Sequence, residues 1–126
     1  MRKQIITTSE APQALGPYSQ AVRVGDFVFL SGQIPLDPGS GTVVQGDITV
    51  QTRRVMENLG AVLRAAGASF SEVVKSTIYL VDLGDYAKVN EVYGSYFPSE
   101  PPARATVQVA ALPRGAKVEI EAIAVG

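Results

Sequence analysis

A chain of 126 residues, 46% hydrophobic and 18% charged with a formal net charge of −1, reads as a single folded domain over residues 1–126, not a disordered segment. It contains no cysteine and no histidine, which excludes disulfides, thiolate nucleophiles, Cys- or His-ligated metal and imidazole acid–base chemistry. The longest basic stretch is Arg53-Arg54, and the opening "MRKQIITTSE" has no apolar run of membrane or signal length; a cytoplasmic protein without nucleic-acid or membrane partners is expected.

In chain order, "KQIITTS" is a short β-prone run ended by Pro12. "AVRV" and "FVFLSG" are strands joined by Gly25-Asp26, a turn pair. The stretch 37–42, "DPGSGT", is a loop by composition. From Ile48 to about Ala66, apolar Val55, Met56, Leu59, Val62 and Leu63 recur at three and four, which predicts a helix facing a core; Gly67 stops it. Ser69 and Glu72 fit a capping box, and "VVKSTIYLV" is a further strand. A second amphipathic helix runs from about Asp85 to Phe97, ended by Pro98, with Tyr86, Val89, Val92 and Tyr93 in its apolar stripe. "PPARATVQV" and "KVEIEAIAV" alternate with period two and are joined by the turn-rich "LPRGA", which suits a hairpin.

The order β-β-β-α-β-α-β-β predicts an α+β fold with both helices on one sheet face. The other face then stays partly apolar and uncovered, because Ile123 and Val125 share it with Glu119 and Glu121. Such a patch marks an interface.

Arg104 stands at the first polar position of its strand. A terminal hairpin that pairs residue 104 with 119 makes Arg104 and Glu119 cross-strand neighbours, a structural ion pair. Alternatively, Arg104 offers a planar fork to a carboxylate ligand while Glu119 holds water or carries a proton. In "GPYSQAV", Gly16-Pro17 fixes a turn and gives Tyr18 a defined place, either packed on a core edge or in a site. Ser31 either ends its strand or presents its hydroxyl and the following backbone N–H groups to an anion. Asn90 sits at the boundary of its helix stripe. Asp47, Asp82 and Asp85 read as loop or cap residues. "SGQIPLDPGSG" lacks the spacing and lysine of a P-loop.

The blocks "APQALGPYSQAV", "FVFLSGQIPLDP", "VMENLGAVLRAAG", "DYAKVNEVY" and "PPARATVQVAALPRGAKVEIEAIA" together resemble the RidA, or YjgF-type, family of reactive-intermediate imine/enamine deaminases over nearly the whole chain. The resemblance implies a chorismate-mutase-like fold: one mostly antiparallel six-stranded sheet with two helices on one face, assembled as a homotrimer with sites in the clefts between subunits. It implies that Arg104 binds the substrate carboxylate, that Glu119 positions the attacking water and that Tyr18 joins them in catalysis. Ser31, Gly32 and Asn90 match pocket positions. Thr106 stands where many members carry cysteine and is expected in the substrate pocket. The implied reaction is hydrolysis of 2-imino or 2-enamino acids, such as 2-aminoacrylate, to 2-keto acids and ammonia, with no cofactor and no metal. A keto-acid or fatty-acid-like binding module without turnover is the second reading. An endoribonuclease or translation inhibitor is the third, against which stand the absent histidine and basic stripe.

Overall fold

The computed structural model describes residues 2–126. Its strands are β1 (Lys3–Ile6), β2 (Ala21–Val24), β3 (Phe27–Gln33), β4 (Val73–Leu80), β5 (Ala103–Gln108) and β6 (Val118–Val125). Its helices are α1 (Ile48–Ala65) and α2 (Tyr86–Gly94). Gly25 takes φ +58° in the β2–β3 turn, the left-handed conformation that a tight hairpin demands. Asp47 caps α1 by accepting the Val50 N–H at 3.1 Å. The chain leaves α1 through Gly67 at φ +78°. The Ser69 N–H donates to the Glu72 carboxylate at 2.9 Å, the reciprocal half of the expected capping box. No helix among the described residues is long and apolar enough to cross a membrane.

The strands form one six-stranded sheet in the order β1-β2-β3-β6-β4-β5, with only β4 and β5 parallel. Parallel neighbours need a crossover, and α2 supplies it. The α+β arrangement is the expected one, but the terminal hairpin is not. β5 lies at the sheet edge beside β4, and β6 inserts between β3 and β4. The turn-rich connection of residues 109–117 therefore passes over the end of β4. It is anchored there by the Val109 N–H on the Leu80 carbonyl at 2.8 Å. Burial explains the insertion. Val118, Ile120, Ala122 and Ala124 are all buried beneath the helices, which suits a central strand. β5 has no fully buried residue, which suits an edge.

Alternation along the strands makes two different faces. One carries Val28, Leu30, Ile78, Leu80 and Ile120 against the Val55–Met56–Leu59–Val62 stripe of α1, all buried. The other carries Phe27 and Phe29, stacked with centroids 6.2 Å apart, with Val107 and Val125; all four remain substantially exposed. The uncovered, partly apolar face is thus present.

The first part of the segment between β1 and β2 is held by a buried side chain. Gln20, 4% exposed, accepts the Thr8 N–H at 2.7 Å and donates to the Pro12 carbonyl at 2.7 Å. Gln20→Leu keeps the bulk and leaves those backbone groups unpaired. We expect it to cost about 1–3 kcal/mol in urea denaturation. An unchanged midpoint would show that the loop is held by something else.

Candidate active site

The first half of the site grows from the alternation of β5. Arg104 pairs in register with Ser76 and Thr106 with Ile78, both buried beneath the helices, so Arg104 and Thr106 face α2. There the guanidinium meets three residues spaced along one face of that helix. Its Nη1 donates to the Asn90 Oδ1 at 2.7 Å and its Nη2 to the Tyr86 hydroxyl at 2.9 Å. Its Cζ lies 5.5 Å from the Tyr86 ring centroid and 5.1 Å from that of Tyr93, within cation–π range. Tyr93 is in turn fixed by a hydrogen bond between its hydroxyl and that of Ser76. Burial raises the Tyr93 phenol above its ordinary value, against the opposing pull of Ser76 and Arg104, so it stays neutral. Asn90 and Tyr86 accept as neutral groups, so their bonds fix the fork without cancelling its charge. Arg104, Asn90, Tyr93, Phe97, Pro101 and Pro102 frame a shallow cleft. The Thr106 Oγ1 is buried and finds no hydrogen-bond partner among the described residues.

The second half grows from an irregularity in β3. Its ladder with β6 slips between Leu30 and Gln33, which takes Ser31 and Gly32 out of regular pairing. A Cβ on Gly32 would stand 2.1 Å from the Glu119 Oε2, so only glycine lets the carboxylate lie against this backbone. The Ser31 hydroxyl donates to the Ser19 carbonyl at 2.6 Å, and its N–H donates to the Gln20 carbonyl at 3.0 Å. Ser31 thereby ties the Tyr18 segment to the bulge, and its hydroxyl proton is already committed. Tyr18 folds back through its N–H onto the Gly16 carbonyl at 2.8 Å and is 54% exposed. Tyr18, Gly32, Pro113 and Arg114 line one cleft of about 370 Å³. Glu119 is half-buried, between the fully buried Val118 and Ile120. Burial, and then the neighbouring Glu121 charge, push its carboxyl above the ordinary carboxylate range. A carboxyl shifted this way is suited to exchanging protons with water or a nitrogen.

The cross-strand pairing of Arg104 with Glu119 does not occur. Arg104 pairs with Ser76 and Glu119 with Tyr79, three residues apart on β4, so the two charged side chains leave opposite faces of the sheet. β4 also separates their strands by two spacings, about 10 Å. Within one chain the site residues form two groups: Arg104, Asn90 and Thr106 on the helix side, and Tyr18, Ser31, Gly32 and Glu119 around the bulge. Sequence reasoning missed Tyr86 and Tyr93 as partners of Arg104 because both fit an apolar stripe. The available signal was spacing: Tyr86, Asn90 and Tyr93 follow at four and three residues, on one helix face. Arg114, beside Tyr18 in the cleft, was also missed.

A family model described as Endoribonuclease L-PSP matches residues 8–126. Protein DfrA of Myxococcus xanthus is 65% identical, over 99% of this chain and 97% of its own length. The 2-iminobutanoate/2-iminopropanoate deaminase of Mus musculus is 52% identical, over 98% of this chain and 91% of its own. The crystal structure of RidA from the Antarctic bacterium Psychrobacter sp. PAMC 21119 matches with a TM-score of 0.94 at 47% identity, covering 98% of this chain and 99% of that one. With one family model spanning almost all of the sequence, and relatives similar from end to end, the chain belongs to the Endoribonuclease L-PSP family, the YjgF/RidA group.

Proposed function

We propose that the protein hydrolyses reactive 2-imino and 2-enamino acids, such as 2-aminoacrylate and its tautomer 2-iminopropionate, to 2-keto acids and ammonia. It works in the cytoplasm as a homotrimer, each site built from the Arg104 half of one subunit and the Glu119 half of its neighbour. The observation that carries this reading is Arg104: a guanidinium fixed by neutral acceptors and aromatic faces at the mouth of a cleft, its charge left for an anionic ligand. The exposed apolar sheet face supplies the reason for assembly, since Phe27, Phe29 and Val125 need cover. The deaminase name borne by a relative 52% identical supports the reaction class.

Arg104 grips the substrate carboxylate in its fork and so fixes the C=N carbon relative to Glu119. The iminium form is already electrophilic. Water adds to that carbon, the C=N π pair moves to nitrogen, and the Glu119 carboxylate takes the proton the water gives up. Glu119 returns that proton to the amine nitrogen of the tetrahedral intermediate. The C–N bond then breaks with its electron pair on nitrogen, the oxygen closes to a carbonyl, and its remaining proton leaves with ammonia as ammonium. Tyr18 lines the cleft that Gly32 borders, and Ser31 and Gly32 hold the backbone against which the Glu119 carboxylate rests. Thr106 lies two residues along β5 from Arg104 on the same face, its hydroxyl buried and without a partner among the described residues.

The direct test couples the protein to a dehydratase that generates 2-aminoacrylate and follows loss of the imine and release of ammonia. Acceleration by the protein is expected. Binding of a keto acid with no acceleration would instead make it a binding module. Sedimentation at micromolar concentration should give three times the chain mass; a monomer would remove the shared site.

Arg104→Lys keeps the charge and loses the two-point grip, and we expect kcat/KM to fall by about 100-fold with the assembly intact. Near-normal activity would show that orientation by the fork is dispensable.

Glu119→Gln should lower turnover by about 10²–10⁴-fold while affinity for a non-reactive keto acid holds or improves. The wild-type rate should decline on acidification at a pH above the ordinary carboxylate range, because Glu119 must be ionised to accept the water's proton. Stability runs the other way. The folded chain holds this proton to higher pH than the unfolded one, so the contribution is largest below the unfolded value and is lost as pH rises through the folded value. The glutamine variant should therefore melt no lower than wild type at neutral pH. A large drop in melting temperature with normal turnover would make Glu119 structural.

A further inference from the structure

The geometry points to Tyr86 as a second contact to the substrate carboxylate, its hydroxyl accepting one Arg104 N–H while donating its own proton to the anion that Arg104 binds. This inference rests on the reading of Arg104 given above. A phenol has one proton to donate and lone pairs to accept with. Here a lone pair takes the Arg104 Nη2–H at 2.9 Å. The guanidinium has only donors, so the phenol proton cannot point at it and is directed elsewhere. An anion seated against the remaining N–H groups of the fork lies beside that proton.

Three further features fit this role better than a packing role. Tyr86 is 42% exposed, so its hydroxyl is not sealed behind the arginine. Its position is set from two sides: it opens α2, one turn before Asn90, and its ring lies 5.5 Å from the Arg104 Cζ. The buried support beneath the guanidinium comes from Tyr93, locked to Ser76, so Tyr86 is not required as a floor. The carboxylate would then meet two kinds of donor, a charged fork and a neutral hydroxyl, which selects a carboxylate over a neutral amide of the same shape.

Tyr86→Phe keeps the ring and removes only the hydroxyl. Pyruvate serves as the non-reactive probe and pyruvamide as its neutral counterpart, with affinities measured by calorimetry beside steady-state imine hydrolysis. We expect pyruvate to bind about ten-fold more weakly to the variant, with pyruvamide unaffected. Hydrolytic kcat/KM should fall by a similar factor, carried by KM. Equal pyruvate affinity in the two proteins would overturn the proposal. So would a fall confined to kcat, because a contact to the bound carboxylate must show in affinity. A wild-type protein that binds pyruvate but hydrolyses no imine would refute the deaminase reading, while the comparison of pyruvate affinities still decides the role of Tyr86. No pyruvate binding by the wild type would overturn the carboxylate clamp and Tyr86 with it.

Discussion

Side chains of a β-strand alternate between faces, and this one constraint places Arg104 and Glu119 on opposite sides of the same sheet with β4 between them. Neither can neutralise the other within a chain. Arg104 is oriented instead by Asn90 and by the hydroxyl and ring of Tyr86, which leave its charge intact. Glu119 lies against the Gly32 backbone, and burial, then the like charge of Glu121, raises its affinity for a proton. Both residues are held in states that a structural ion pair would have quenched. In the proposed assembly, a second copy of the chain laid on the open face would bring the Arg104 charge to the Glu119 carboxyl.

The same alternation accounts for the apolar character of the open face. Phe27 and Phe29 stack on it, and the Tyr79 hydroxyl donates to Glu121 at 3.1 Å. The bulge at Ser31-Gly32 lies where this face approaches the loop carrying Tyr18, and it does two things at once. It opens backbone space for the Glu119 side chain, and through Ser31 it anchors the loop. A chain without histidine can run acid–base chemistry in this way, because burial tunes a carboxyl that would otherwise be too acidic to hold a proton for long.

Much of the fold was legible because the signals were local. The stripe of α1, its stop at Gly67, the Gly25-Asp26 turn and the period-two strands each need only neighbouring residues. The partnership of β5 was not legible. A turn-rich connection states that the chain reverses, and says nothing of which strand it lands beside. That choice was made by burial: β6 offers four residues that can be enclosed, and β5 offers none. At the site, Arg104 and Glu119 were identified by residue type and family resemblance, but the inferred contact between them depended on the wrong pairing. Tyr86 and Tyr93 were hidden because a tyrosine in an apolar stripe looks the same whether its hydroxyl is idle or bound. Gly32 was read as a backbone N–H donor beside Ser31 and by resemblance, and the reason it must be glycine appears only where Glu119 lies against it.

The central claim is that each site takes its arginine from one subunit and its glutamate from another. Subunit mixing tests it most directly. Arg104→Ala and Glu119→Gln, each inactive alone, are unfolded together in equal amounts, refolded and assayed for imine hydrolysis. In a closed ring of three with random assembly, about a quarter of the interfaces join an intact Arg104 to an intact Glu119. The account predicts recovery of about a quarter of wild-type activity. Mixed assemblies that form and remain inactive would contradict it, and would return both residues to a site within one chain.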